Sequence, residues 1–182
     1  MRFARPPRLW ARLKPLRRHA RGATLVEFAV IAAPLIALLI AIVQTSLTFF
    51  AQQVLETTAE KAGRLILTGA VQRQGMKRAD FNKAVCDSLP AFLKCANVLV
   101  DVQTANSFSS ADTTAPTITF GSDGKPTNAT AYDPGNPGDI VVMKVIYLWS
   151  VAPGPLGFDL STLSNGQRLL MATAVFKREA YT

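Results

Sequence analysis

The residue with the clearest capacity for chemistry is Glu27, a carboxylate at the start of a long apolar segment. No charged residue lies between Glu27 and Glu56. An ionised carboxylate in lipid costs several kcal/mol unless it finds a partner. Helices do favour acids in their first turns, but this preference does not explain an acid set against an uninterrupted apolar run. Glu27 therefore predicts a partner charge inside the membrane.

Gly22 indicates where such a partner could come from. If the chain were cut after Gly22, a new amine would appear at Ala23, one helical turn before Glu27. The amine of a neighbouring subunit could neutralise Glu27 within lipid, where an ion pair is much stronger than in water. Such a pair would set the axial register between packed helices.

Other chemistry is poorly supported by the residue types present. The single histidine, His19, lies among basic residues, and there is no nucleophile motif or metal-ligand cluster. The segment 121–125 lacks the glycine spacing of a phosphate-binding loop and predicts a turn. Asp133 and Asp139 could bind calcium weakly, but a solvated loop is favoured. We therefore expect no catalytic activity and no cofactor.

The positive charge is concentrated at one end of the chain. Eight of the 20 Lys and Arg residues lie in residues 1–21, which contain no acid, so the remainder balance the 12 Asp and Glu residues. A nucleic-acid-binding domain would instead carry basic residues clustered on a folded face. Basic residues beside a membrane helix stay in the cytoplasm, so the pattern predicts a cytoplasmic N-terminus and no nucleic-acid partner.

The apolar segment from Leu25 to Val43 approaches the roughly 20 residues that cross a bilayer core. It is longer than the apolar region of a secretory signal peptide, which has about 7 to 15 residues. Phe49 and Phe50 could mark the far interface. Pro34 removes a backbone hydrogen bond and predicts a kink in this helix. The segment is therefore predicted to be a single membrane span.

Four alanines recur at every fourth position of the apolar segment. This spacing makes a smooth ridge along which another helix can approach closely, although alanine is also simply common in apolar helices, and both interpretations stay open. The predicted packing residues are Ala29, Ala33, Ala37 and Ala41.

The two cysteines follow the span, in a part predicted to lie outside the cytoplasm. An oxidising compartment favours a disulfide between Cys86 and Cys95 over two unrelated buried thiols. A disulfide that closes a loop of about ten residues would contribute about 2 to 3 kcal/mol of stability. Two cysteines without a nearby histidine do not make a zinc site.

Hydrophobic periodicity predicts an α+β fold: a long N-terminal transmembrane helix followed by a small antiparallel sheet of three or four strands. The domain plan is a basic leader (1–22), a transmembrane and stalk helix (23–74) and a periplasmic α+β domain (75–182). The elements predicted in that domain are a helix over Ala79–Leu89, strands over Asn97–Gln103, Ile140–Val151 and Gln167–Arg178, and a short strand over Thr117–Phe120 within the loop Ser107–Gly138.

The stretch Gly22-Ala-Thr-Leu-Val-Glu27-Phe28, after a basic leader, resembles a type IV prepilin processing site. Its apolar continuation resembles the TadE-like proteins, which are pseudopilins of the bacterial tight-adherence (Tad/Flp, type IVc) pilus system. The segment from Phe50 to Arg64 and the closing strand from Leu169 to Ala180 are also similar to that family. The resemblance is good over the first 70 residues and only general over 75–135.

The resemblance implies a pilin-like fold and a role in pilus assembly. A prepilin peptidase would cleave after Gly22, and Glu27 would serve recognition or docking to other pilins or pseudopilins. Phe28 stands where major pilins of this system usually have Tyr, which favours a pseudopilin. Paired cysteines such as Cys86 and Cys95 occur in many members. The implied place is the bacterial inner membrane, either within a surface pilus or at its base.

The sequence thus predicts a non-enzymatic, single-pass membrane pseudopilin with a periplasmic α+β domain. The alternative is an unprocessed, signal-anchored periplasmic binding module that uses the loop Ser107–Gly138. Retention of residues 1–22 in the mature chain would favour this alternative. A membrane-anchored hydrolase is disfavoured because no residues are present to carry the reaction.

Overall fold

The computed structural model describes residues 20–179 of the chain. Residues 1–19 of the predicted leader lie outside this range, while residues 20–22 already belong to the first helix. Three short 3₁₀ turns, Cys95–Asn97, Phe108–Ser110 and Pro155–Gly157, accompany the main elements. Those elements are α1 (Ala20–Leu67), α2 (Ala70–Arg73), α3 (Arg78–Asp87), β1 (Val98–Ala105), β2 (Ile140–Ser150) and β3 (Gln167–Lys177).

Helix α1 is 48 residues long and continues without a break through Pro34. Its composition, rich in Ala, Leu and Ile, suits a long helix. The helix ends earlier than the predicted limit of residue 74, because Gly69 adopts a left-handed conformation (φ 67°) and its N–H bonds to the carbonyl of Ile66. A left-handed glycine is a common helix terminator. The single turn of α2 then carries the chain away from the axis of α1.

The three strands form one antiparallel sheet in the order β1-β2-β3. In its register, Lys144 of β2 faces Asp101 on one side and Thr173 on the other. The predicted α+β class is therefore confirmed, with three strands and the three longer strand predictions in place. Each strand pairs with the one that precedes it in the chain, although 34 residues separate β1 from β2 and 16 separate β2 from β3.

The predicted strand over Thr117–Phe120 is wrong. Within the described residues this segment forms only an isolated bridge, between Phe120 and Pro126. The Asn128 side chain takes over part of the ladder: its Nδ2 donates to the Thr117 carbonyl at 2.7 Å, and its Oδ1 accepts from the Thr119 N–H at 2.9 Å. Proline cannot donate to a ladder, and the segment stays a loop.

The core lies between the second half of α1 and one face of the sheet. Leu55 and Ile66 of α1 are fully buried, as are Met143 and Val145 of β2. Gly63 allows the close approach, since an added Cβ would meet Phe176 Cε1 at 3.3 Å. Burial of such side chains contributes about 1.5 to 3 kcal/mol each. This packing fixes the second half of α1 (residues 44–67), here called the stalk half, to the sheet.

Helix α3 completes the core beside α1. It buries Phe81 and Val85, and its last turn is tied to the turn before β1 by the disulfide between Cys86 and Cys95. The two Cα atoms are 5.3 Å apart, within the usual range for a disulfide. The predicted disulfide is confirmed.

Candidate functional site

The first half of α1 projects from the domain as an exposed apolar helix. Every large apolar side chain from Leu25 to Val43 is 40–71% exposed. Among the described residues, α1 is the one helix that is long and apolar enough to cross a membrane, and its most apolar window is only 6% buried. A core helix of a water-soluble protein would be mostly buried. The exposed half of α1 therefore fits a single-pass membrane anchor.

Glu27 lies near the start of this exposed helix and is itself exposed. Among the residues that the structure describes, none forms a hydrogen bond or an ion pair with its carboxylate. Gln44, the first residue of α1 to bond to the domain, lies 17 residues further on, or about 26 Å along the axis. This distance is close to the roughly 30 Å thickness of a bilayer core. Glu27 and Gln44 thus bracket one membrane thickness.

Gly22 lies inside α1, and beyond its chain neighbours and the backbone of its own helix nothing lies within 4 Å of the position that a Cβ would take. The helix begins at Ala20 instead of the predicted Ala23, so the predicted cleavage site is helical in the uncut chain. Glycine inside a helix costs roughly 0.5 to 1 kcal/mol relative to alanine. Gly22 therefore weakens the helix locally at the predicted cleavage site.

The four predicted packing alanines have different exposures. Ala29 and Ala33 are exposed, Ala41 is half-buried and Ala37 is buried, with an exposed fraction of 8%. Residues four apart form a row that is inclined to the helix axis, so a partner following this row would cross α1 at an angle. The predicted packing role and the kink at Pro34 remain predictions.

From Gln44 onward, polar side chains of α1 bond to the domain. The Gln44 Nε2 donates to the Ala152 carbonyl at 3.2 Å, and the Gln52 Nε2 donates to the Met171 carbonyl at 3.0 Å. Buried Thr48 lies between them and donates to the Gln44 carbonyl at 2.9 Å. The polar residues that follow the span thus dock the helix on its own domain.

The outer face of β2 is covered by the loop Ser107–Gly138. Lys144 is buried there, and its Nζ donates to Asp112 Oδ2 at 2.9 Å and to the Thr114 carbonyl at 3.0 Å. Hydrogen bonds from the Thr114 hydroxyl, followed by the bond from Lys144, hold the pKa of Asp112 well below its usual range. The Lys144–Asp112 pair therefore fastens the loop to the sheet.

We expect Asp112→Asn to release this loop, because the buried Lys144 ammonium group then has no carboxylate partner. Amide hydrogen exchange over residues 112–118 should rise several-fold. Lys144→Met, a control of similar volume, should also free the loop but keep the free energy of unfolding within about 1 kcal/mol. Because the pKa of Asp112 is lowered, its ionised carboxylate stabilises the folded loop at pH values above about 4, the pKa of the same group in the unfolded chain. This stabilisation is lost progressively as the pH falls below that value. The wild-type loop should therefore loosen in acid. Unchanged amide exchange in both variants would contradict the conclusion that the Lys144–Asp112 pair fastens the loop.

Asp133 and Asp139, the two carboxylates considered as calcium ligands, accept hydrogen bonds from neighbouring residues of the protein. Asp133 accepts from the Gly135 N–H at 3.0 Å and from the Thr104 hydroxyl at 2.9 Å, while Asp139 accepts from the Asn136 N–H at 2.7 Å. No group of three or more potential metal ligands occurs within residues 20–179. The two aspartates shape the turns that precede β2.

An exposed apolar helix joined to a small α+β domain is the arrangement expected of a single-pass membrane-anchored protein. The family model described as TadE-like protein matches residues 22–64, which span the exposed half of α1 and most of its stalk half. The resemblance to the TadE-like family is therefore confirmed over this segment. No curated protein and no solved structure matches the chain.

Three contacts near the domain were not anticipated from the sequence. They are the Lys144–Asp112 pair, the Gln44–Ala152 bond and the stacking of Phe50 on Phe92, whose ring centroids are 5.5 Å apart. Each joins residues far apart in the chain. The signal for the first was a lysine in an otherwise apolar strand, which indicates a partner on the covering loop.

Proposed function

We propose that the protein is a non-enzymatic membrane pseudopilin that takes part in assembling a Tad/Flp pilus. The observation that carries the proposal is the position of Glu27 at the start of an exposed apolar helix, within the TadE-like segment 22–64. A lone carboxylate in a membrane helix favours a charged partner. The α-amino group of an adjacent processed pilin has the required charge.

The proposed topology places the basic residues 1–21 in the cytoplasm and the α+β domain in the periplasm. Two features support it. The disulfide between Cys86 and Cys95 suits an oxidising compartment. One apolar helix long enough to span a membrane separates the basic residues 1–21 from the domain, so a single crossing leaves the two on opposite sides.

In this proposal a prepilin peptidase cuts after Gly22, and the exposed half of α1 then packs against other pilins or pseudopilins. Ala29 and Ala33 are exposed and small, so a neighbouring helix can approach the backbone closely there. Glu27, half a turn before Ala29, sets the axial register. The protein acts either in the fibre or at its base.

The N-terminal sequence and intact mass of the protein from native membranes test the processing step. We expect a chain that begins at Ala23, because the Gly22 site is open and its helical turn is weak. A Gly22→Leu variant, which remains helical, is the control and should retain residues 1–22. A wild-type chain that also retains them would contradict processing and favour the unprocessed, anchored binding module.

A further inference from the structure

The connection between β2 and β3 begins with an apolar loop of unusual exposure. Residues 151–158, here called the 151–158 loop, contain no charged side chain. At its tip Leu156 is 87% exposed, more than any other large apolar side chain within residues 20–179. Its backbone is left-handed (φ 57°), a conformation that is uncommon for residues other than glycine. The loop thus holds a leucine outward at a conformational cost.

The 151–158 loop lies at the point where α1 leaves the domain. The Ala152 carbonyl accepts a hydrogen bond from Gln44, and the turn Pro155–Gly157 contacts α1. Ala37 and Ala41, about two turns and one turn before Gln44, are less exposed than most of their neighbours. These contacts place the loop at the end of the apolar span and not at the far end of the sheet.

A second exposed apolar feature lies slightly further along α1. Phe50 and Phe92 stack with their ring centroids 5.5 Å apart, yet they remain 56% and 47% exposed. Phe50 is six residues beyond Gln44, about 9 Å along the axis. The headgroup region on each side of a bilayer is about 5 to 8 Å deep. The pair is therefore at the height where headgroups meet water.

We propose that the 151–158 loop inserts Leu156 into the outer edge of the bilayer that holds α1, so that the domain rests on the membrane and is not merely tethered to it. We infer contact with lipid because the loop adjoins the exposed apolar half of α1 and carries no charge. Apolar area removed from water contributes about 25 cal/mol per Å². The inference rests on the membrane anchoring proposed above, but not on leader cleavage or pilus assembly.

Depth-dependent quenching by brominated phosphatidylcholine tests the proposal on the full chain in vesicles. Both native tryptophans are replaced (Trp10→Phe and Trp149→Phe), and one tryptophan is added by Leu156→Trp or, as control, by Phe108→Trp. Phe108 is 58% exposed and follows the C-terminal end of β1, at the end of the sheet opposite the 151–158 loop. We expect blue-shifted emission at position 156, quenched several-fold more than emission at 108. Equal, weak quenching at both positions would overturn the proposal.

A blue shift at position 156 without lipid quenching, lost when the protein is diluted in lipid, would mean that a second copy covers the loop and would also overturn the proposal. Flotation of the protein with the vesicles checks anchoring separately, so a failed anchor is distinguished from a loop that stays in water. A second measurement avoids the tryptophan replacements. Leu156→Asn, which tolerates the left-handed backbone, should speed amide exchange of the loop in vesicles, whereas Phe108→Asn should not.

Discussion

Glu27→Ala is expected to leave membrane insertion intact and to weaken assembly with other pilins by about tenfold or more, since truncating one partner of a buried charge pair costs 2 to 5 kcal/mol. Removing the charge makes the helix more apolar, so insertion is at least as favourable. The measurement is the amount of surface pili together with co-purification of partner pilins. Normal pili in the Glu27→Ala strain would contradict the docking role.

Two matched variants separate charge from shape at this site. Glu27→Gln keeps the size of the side chain and removes its charge, so it should behave like Glu27→Ala. Ile31→Ala removes an exposed apolar side chain one turn further along α1 and should change assembly much less. If Ile31→Ala is as harmful as Glu27→Ala, the helix surface and not the carboxylate is what the partner recognises.

Phe81→Ala is expected to lower the free energy of unfolding of the domain by about 3 to 5 kcal/mol. Phe81 is fully buried, and its ring centroid is 5.5 Å from that of Tyr132, so truncation leaves a cavity between α3 and the covering loop. Domain stabilities are about 5 to 15 kcal/mol, which makes this a large fraction. Urea unfolding of the full chain in detergent, followed by Trp149 fluorescence in a Trp10→Phe background, measures the change.

Phe108→Ala is the matched control for Phe81→Ala. Its side chain is 58% exposed, and substitutions at such positions usually change stability by less than about 0.5 kcal/mol. The Phe81 variant should thus differ from it by several kcal/mol. A difference below about 1 kcal/mol would mean that α3 contributes little to the core.

The elements that the sequence predicted well are those whose pattern is local. In β2, Val141, Met143 and Val145 alternate along one face, and all three are buried in the core. The end of α1 was placed too late because its helical periodicity continues through Val71, whereas the left-handed Gly69 interrupts the backbone. Glycine alone does not mark a helix end, since Gly63 lies inside the same helix.

The contacts that escaped prediction depend on how the chain returns on itself. Gln44 reads as an ordinary polar residue after a membrane span, and only the position of the 151–158 loop gives its Nε2 a carbonyl partner. Likewise, the exposed Asp112 shows no sign of its role until Lys144 is buried beside it. Side-chain partners more than 30 residues apart are set by topology, which periodicity does not encode.

The pairing of the stalk with the last strand has a consequence for biosynthesis. Gln52 bonds to Met171, 119 residues later, and the Glu179 N–H donates to the Leu67 carbonyl. At 5 to 20 residues per second, translation of the intervening chain takes on the order of ten seconds. During that interval α1 is complete, but its apolar stalk face has no sheet to cover it. Folding of this domain therefore waits for the last strand, and the growing chain is prone to aggregation until β3 arrives.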